Sequence, residues 1–277
     1  MNYIKLLRPK HYIKNVIILL PLFFSGQFLV WEKLLFGLLG IIVFSMLSSS
    51  IYIFNDLNDV EKDRLHPQKC NRPIASGAVK KPVAVIIMIG LLIMTGIISL
   101  LLFNMNSVIY LSVYYILNIL YSVRLKCVPI LDVAILASGF LIRVLFGGCL
   151  LDIEVSEWLY LMILSGALYM GLGKRRNELI LGTGSRSVLK KYSKDFLNQN
   201  MNVCMGLAMV FYSLWAKDSI HKSMIWTIPL FIIIIMRYGY SSECDKGGDL
   251  VEIILHDVLL LLLLVIYIGT IAVILYL

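Results

Sequence analysis

Long apolar stretches recur along the whole chain, and they constrain its fold more than any other feature. Each is long enough to form an α-helix of about 17 or more residues, which crosses a hydrocarbon core of about 30 Å. Only 15% of the 277 residues are charged and 60% are hydrophobic, whereas soluble domains carry about 25% charged residues. The sequence therefore predicts an all-α polytopic membrane protein in which residues 1–277 form a single integral-membrane domain.

The apolar pattern predicts about nine membrane spans. Their expected boundaries are 15–31, 34–54, 83–103, 107–121, 130–151, 157–173, 203–216, 223–237 and 254–276. The seventh and eighth spans are short, and charged residues between 217 and 222 interrupt the pattern that joins them. The connections are at most about thirty residues long, which leaves no room for a separate soluble domain.

Lysine and arginine are distributed unequally between the two sides of the predicted bundle. The N-terminal segment and the loops on its side carry 21 of the 25, while Lys33, Lys217 and Lys222 lie opposite and Arg143 lies inside a span. The positive-inside rule makes the rich side cytoplasmic, with the N-terminus inside and the C-terminus outside a cytoplasmic (inner) membrane. This bias, together with attraction to anionic lipid headgroups, accounts for the net charge of +8 without a nucleic-acid partner.

An acidic run, NDLNDVEKD at residues 55–63, closes the second span. On a helix, spacings of three and four residues place Asp56, Asp59 and Asp63 on one face. Carboxylates placed in this way repel one another unless a cation lies between them. Mg²⁺ prefers oxygen ligands and binds one or two carboxylates together with substrate phosphates. The run therefore predicts a Mg²⁺ site with Asn55, Asp56, Asp59 and Asp63 as ligands.

Basic residues follow the acidic run within the same loop. Lys69 and Arg72 are suited to hold phosphate oxygens, the arginine through paired hydrogen bonds. His66 either contacts substrate or packs the turn before Pro67. Together with the acidic run, these residues indicate a site for a metal-bound diphosphate.

Two further basic features lie in the second half of the chain. Arg143 is the single charge deep within a span, where charged side chains usually face a polar interior. We expect it to pair with an acid or a substrate phosphate, and Asp132, three helical turns earlier, lies on the same face. The segment GKRRNEL at residues 173–179 is typical of a stop-transfer flank when taken alone, but beside the acidic run it indicates phosphate binding.

Five sequence segments resemble the UbiA superfamily of intramembrane prenyltransferases. NDLNDVEKD resembles its first aspartate-rich motif. LRPKHYIKN at 7–15, the run from Asp63 to Gly77, YSVRLKCVPILDV at 121–133 and LGKRRNEL at 172–179 resemble the branch of phosphoribosyltransferases that use decaprenyl phosphate. Because these segments occur in order over nearly the whole chain, the resemblance is specific.

The resemblance implies nine helices around a central polar cavity that binds Mg²⁺. It implies catalytic roles for Asp56, Asp59 and Asp63. The residues expected to bind substrate are Lys14, Asn15, His66, Lys69, Arg72, Tyr121, Lys126, Arg143, Lys174, Arg175, Arg176 and Glu178. Prenyltransferases that make quinone precursors carry a second aspartate-rich motif in the second half, and here its place holds three cations beside Glu178.

The replacement of the second aspartate-rich motif by three cations favours a pair of substrates that carry further phosphate groups in addition to the diphosphate. The predicted reaction is Mg²⁺-dependent transfer of a 5-phosphoribosyl group from 5-phosphoribosyl diphosphate to a polyprenyl phosphate. A second hypothesis keeps the fold but transfers a prenyl group from a prenyl diphosphate to an aromatic or quinone-precursor acceptor. A third is a transporter for a phosphorylated lipid, although no inverted repeat or broken-helix pair is evident.

Overall fold

A computed structural model describes residues 2–67, 69–182, 187–244 and 250–277, and every regular element within those ranges is a helix. The chain divides into two compact units. The first comprises Met1–Val128 and Ile142–Glu154, and the second comprises Pro129–Leu141 and Val155–Leu277.

The first unit is built around one long membrane helix. Its helices are α1 (Asn2–Leu7), a 3₁₀ helix (Pro9–Leu19) that runs into α2 (Leu20–Phe24), α3 (Trp31–Asn58), α4 (Val60–Arg64), α5 (Lys81–Leu102) and α6 (Met105–Val123). Buried aromatic rings form part of its core, with Phe44 of α3 packed against Tyr114 of α6 and against Phe146. Short 3₁₀ helices follow α4 and α6, at Lys69–Asn71 and Leu125–Cys127.

Helix α7 (Leu131–Leu151) begins in the second unit and ends in the first. The other helices of the second unit are α8 (Glu157–Leu181), a 3₁₀ helix (Ser187–Lys191), α9 (Lys194–Asp218), a 3₁₀ helix (Lys222–Thr227), α10 (Ile228–Cys244), α11 (Leu250–His256) and α12 (Val258–Tyr276). Serine hydroxyls cap α8 and α9 by accepting a backbone N–H, Ser156 from Leu159 and Ser193 from Phe196. Gly182, with a left-handed backbone, ends α8.

Six of the predicted spans correspond to segments that are long and apolar enough to cross a membrane. Within the described ranges these segments are α3, α5, α6, α7, Lys222–Glu243 and α12. The first predicted span is instead divided between an 11-residue 3₁₀ helix and the five residues of α2. Helices α8 and α9 contain the sixth and seventh predicted spans; each is 25 residues long and includes charged residues outside the predicted span. The polytopic all-α class is confirmed, while the count of nine spans stays a prediction.

One glycine permits a close approach of two segments in the first unit. Gly147 of α7 lies against the backbone of Ile18, so that a Cβ at this position would collide with the Ile18 carbonyl oxygen. Backbone atoms cannot rotate away as a flexible side chain can. Glycine at 147 therefore allows α7 to pack on the 3₁₀ helix that carries Asn15.

We expect Gly147→Ala to destabilise the protein by about 1–3 kcal/mol, the usual cost of overpacking. The matched control is Gly96→Ala in α5, where an added Cβ meets no heavy atom within 4 Å. Thermal unfolding in detergent should show a lower midpoint for Gly147→Ala and an equal or higher one for Gly96→Ala. Equal midpoints for the two variants would contradict the packing argument.

Candidate functional site

The acidic run lies at the junction of α3 and α4 in the first unit. Asp56 and Asp63 are almost fully buried, with relative exposures of 2% and 4%. One nitrogen of Arg72, Nη1, contacts both of them, at 3.0 Å from Asp56 Oδ1 and 2.6 Å from Asp63 Oδ2. The two carboxylates therefore converge on a single position that is occupied by positive charge.

The middle aspartate of the run faces a different partner. Helix α3 ends at Asn58 and α4 begins at Val60, which leaves Asp59 in the turn between them. Its two carboxylate oxygens each lie 2.8 Å from Lys126 Nζ in the 3₁₀ helix after α6. The amide of Asn58 also donates to the Ser122 carbonyl at 3.1 Å. The structure thus brings Asp56 and Asp63 together and directs Asp59 towards Lys126.

Arg8 also contacts this site, although it is not among the site residues predicted from the sequence. Its Nη2 lies 2.5 Å from Asp56 Oδ1, and its guanidinium sits 5.1 Å from the centre of the Tyr52 ring. The Arg8 backbone is left-handed (φ 54°, ψ 56°) immediately before Pro9 and the 3₁₀ helix. Arg8 falls within the LRPKHYIKN segment, and that segment was the one signal in the sequence that could have identified it.

The residues present fit a magnesium ion held by two carboxylates and substrate phosphates. Asp56 and Asp63 already lie within 3.0 Å of one cationic nitrogen, and a divalent cation at that position would meet the oxygen ligands it prefers. In the described part of the chain no group of three or more His, Cys, Asp or Glu side chains is arranged to hold a metal. The remaining ligands would then come from substrate and water, as is usual for Mg²⁺.

A buried polar network surrounds the intramembrane arginine of the first unit. Arg143, which is 5% exposed, donates from Nε to Asn15 Oδ1 and from Nη2 to the Tyr114 hydroxyl, both at 2.8 Å. The Asn15 amide in turn donates to Ser45 Oγ at 2.8 Å. The Arg143 guanidinium also lies 4.9 Å from the centres of the Phe44 and Tyr114 rings. Cation–π contacts of this kind gain strength when they are removed from water.

The expected pairing of Arg143 with Asp132 is wrong. The two residues share a face of α7 on a helical wheel, but eleven residues correspond to about 16 Å along the axis. That separation exceeds the combined reach of the two side chains. Asp132 instead accepts hydrogen bonds from Arg175 and Tyr192 within the second unit.

These contacts of Asp132 form a buried cluster at one end of α8. Arg175 Nε lies 2.6 Å from Asp132 Oδ2, and both side chains are 0% exposed. Arg175 Nη1 also contacts Glu178 Oε2 at 2.8 Å. The Tyr192 hydroxyl donates to Asp132 Oδ1 at 2.6 Å and accepts from the backbone N–H of Ile130, also at 2.6 Å. Burial and the hydrogen bond to Asp132 raise the pKa of Tyr192 to about 12, so the hydroxyl remains protonated.

The tyrosine also supports an unusual backbone conformation. Ile130, which precedes α7, has a φ of 69°, and positive φ is rare for a β-branched residue. The hydrogen bond from its N–H to Tyr192 holds the turn in this conformation. The start of α7, the end of α8 and the segment before α9 are therefore joined through Asp132 and Tyr192.

The other two cations of the α8 segment have different surroundings. Arg176 is 8% exposed, and its Nη1 contacts Glu243 Oε1 of α10 at 3.0 Å. The next residue, Asn177, donates its amide to the Ser242 carbonyl at 3.1 Å, so the ends of α8 and α10 are in contact. Lys174 is exposed.

The remaining predicted site residues lie in the first unit. Lys14, His66, Lys69 and Tyr121 are all half-buried. His66 Nδ1 lies 3.4 Å from the backbone nitrogen of Lys69, at the start of the short 3₁₀ helix that precedes Arg72. Asn55 accepts the backbone N–H of Asp59 through its carbonyl. Their roles in substrate or metal binding stay predictions.

Comparisons with known proteins agree with this architecture. A model of the UbiA prenyltransferase family matches residues 16–175. Decaprenyl-phosphate phosphoribosyltransferase of Mycolicibacterium smegmatis is 34% identical over 99% of this chain and 92% of its own length. The protein of the same name from Corynebacterium glutamicum is 32% identical over 92% of this chain and 80% of its own length.

A solved structure shows the same fold. The UbiA homolog from Archaeoglobus fulgidus bound to GPP and Mg²⁺ superimposes with a TM-score of 0.74 over 99% of both chains, at 16% identity. The family match covers more than half of the chain, and the sequence similarity extends over nearly all of it. The chain therefore belongs to the UbiA prenyltransferase family and is a multi-pass membrane transferase.

Proposed function

We propose that this enzyme transfers a 5-phosphoribosyl group from 5-phosphoribosyl diphosphate to a polyprenyl phosphate and releases diphosphate. The observation that carries the proposal is the convergence of Asp56 and Asp63 on one cationic position. The sequence similarity to relatives named decaprenyl-phosphate phosphoribosyltransferase supports this choice of donor and acceptor. Membership of a transferase family sets the transporter hypothesis aside.

The acidic residues of the first unit bind the metal ion that stabilises the leaving diphosphate. Mg²⁺, when bound, supplies charge that neutralises the departing diphosphate. Asp56 and Asp63 would hold that ion, and Arg72 and Lys69 would bind phosphate oxygens beside it. Lys126 holds Asp59 and adds a further positive charge at the same end of α3.

The transfer itself needs little proton chemistry. An oxygen of the acceptor phosphate attacks the anomeric carbon of the ribose, and the bond from that carbon to the diphosphate oxygen breaks with its electron pair. The acceptor is already an anion near neutral pH, so no strong base is required. Positioning and preorganised positive charge then supply most of the rate enhancement. We propose that the reaction takes place at the cytoplasmic face of the inner membrane, because the lysine and arginine bias predicts that these loops are cytoplasmic.

The test is a donor assay on detergent-purified protein with Mg²⁺, a polyprenyl phosphate and labelled 5-phosphoribosyl diphosphate. We expect label to move into the lipid phase with one diphosphate released per transfer, and EDTA to abolish both. A parallel reaction receives a labelled prenyl diphosphate and an aromatic acceptor. If folded protein leaves the first label in water and prenylates the aromatic acceptor, the donor assignment is wrong and the second hypothesis replaces it.

A further inference from the structure

The three consecutive cations at the end of α8 are not equivalent, and their surroundings divide their roles. Arg175 is fully buried and is held by two carboxylates, those of Asp132 and Glu178. Asp132 is itself fully buried and is fixed from its other oxygen by Tyr192. A buried charge pair resists separation because each partner would be left uncompensated away from water. Arg175 therefore has a structural role, because its guanidinium is held by protein carboxylates.

Arg176 is buried to a similar degree but is incompletely satisfied. Its Nε has no hydrogen-bond partner among the described residues, although the atom is shielded from solvent. Buried donors nearly always have a partner, and an orphaned one calls for an explanation such as a ligand. A guanidinium Nε with its adjacent Nη forms the planar pair of donors that matches two oxygens of a phosphate.

The acid that contacts Arg176 is easy to displace. Glu243 has a side chain that is 62% exposed, whereas the Asp132 side chain beside Arg175 is 0% exposed. Only the Glu243 side of this pair is exposed, and solvent on that side weakens the attraction between the two charges. Lys174 lies two residues before Arg176 and is exposed, so it adds positive charge to this end of α8.

We propose that Arg176 binds a phosphate monoester group of the substrates. Arg175, by contrast, fixes the position of the end of α8 through its contacts with Asp132 and Glu178, and Tyr192 in turn holds Asp132. This inference rests on the proposed function for the identity of the ligand. Both substrates carry such a group, since the donor has a 5-phosphate and the lipid acceptor has a terminal phosphate. The chemistry recognised is the same for either source.

The experiment compares Arg176→Gln with Lys217→Gln, which removes one exposed charge at the far end of α9. Ribose 5-phosphate and farnesyl phosphate serve as separate probes of the two sources, and binding is read from thermal stabilisation of the detergent-purified protein. We expect Arg176→Gln to weaken binding of one probe about 10- to 100-fold, the effect of losing one charged hydrogen-bonding partner. Lys217→Gln should bind as wild type does, and Arg176→Lys should recover part of the affinity.

The probe that loses affinity identifies the source, and the KM for the corresponding substrate should rise in Arg176→Gln while kcat changes less. Unchanged affinity of folded Arg176→Gln for both probes would overturn the inference and leave the transferase proposal intact. If the wild type binds a probe through Arg176 but shows no phosphoribosyl transfer, the anion site stands and the proposed donor fails. The two proposals are thus separable.

Discussion

Replacing Asp63 by Ala is expected to lower the rate of transfer by about 10³-fold, as is typical when charge stabilisation of a leaving group is removed. Asp63 and Asp56 share one cationic nitrogen at 2.6 and 3.0 Å. Without Asp63, the remaining carboxylate cannot hold a divalent ion with comparable strength. Asp56→Ala should have an effect of similar size. The measurement is single-turnover transfer of labelled phosphoribose with a Mg²⁺ titration.

The matched control for Asp63→Ala is Glu61→Gln, which removes a negative charge from the same short helix. The Glu61 side chain is 75% exposed and pairs only loosely with Arg64, at 3.4 Å. We expect this variant to retain the wild-type rate. A second readout is stabilisation of the protein by Mg²⁺ with diphosphate, which Asp63→Ala should lose. If folded Asp56→Ala and Asp63→Ala keep both turnover and this stabilisation, the metal assignment is wrong.

The two aspartates could also be purely structural partners of Arg72, and the same variants distinguish that role. A structural role predicts that loss of activity follows loss of stability and that added Mg²⁺ does not change either. The metal role predicts that the apo variant is nearly as stable as apo wild type, because Arg72 keeps the other carboxylate. The difference between the variants then becomes visible only when metal and diphosphate are added.

The acidic site shows how far spacing along a helix can be trusted. Asp56 and Asp63 are seven residues apart, close to two turns, and the structure does bring them to one nitrogen of Arg72. Asp59 departs from this pattern because it lies in the turn that separates α3 from α4, and Lys126 is its partner. Local spacing carries no information about a lysine 67 residues away.

Partners that are distant in sequence account for the other misses. Arg8 reaches Asp56 across 48 residues, from a left-handed backbone position that precedes a 3₁₀ helix. The helical wheel of α7 matched Asp132 with Arg143 in angle but ignored the rise along the axis. The long apolar helices were predictable because length and hydropathy alone define them. Contacts between helices depend on packing, which a single sequence does not display.

The cluster around Arg175 carries the largest expected effect on stability. Arg175→Met leaves Asp132 fully buried without its cation, and Asp132→Leu leaves the fully buried Arg175 with only the partly exposed Glu178 as its counter-ion. Breaking a buried pair from one side costs about 3–5 kcal/mol. We therefore expect each single variant to lower the free energy of unfolding by that amount, as measured by denaturant titration in mixed micelles.

The double variant Asp132→Leu/Arg175→Met should recover most of the lost stability, because neither buried charge remains and apolar side chains fill a similar volume. Glu243→Gln is the matched control, since it removes an acid from the neighbouring Arg176 pair whose side chain is 62% exposed. Its free energy of unfolding should change by less than about 1 kcal/mol. A double variant less stable than both single variants would show that the charges stabilise the fold directly. Recovery of stability without recovery of transfer would instead show that the buried pair is retained for the orientation it gives to the end of α8.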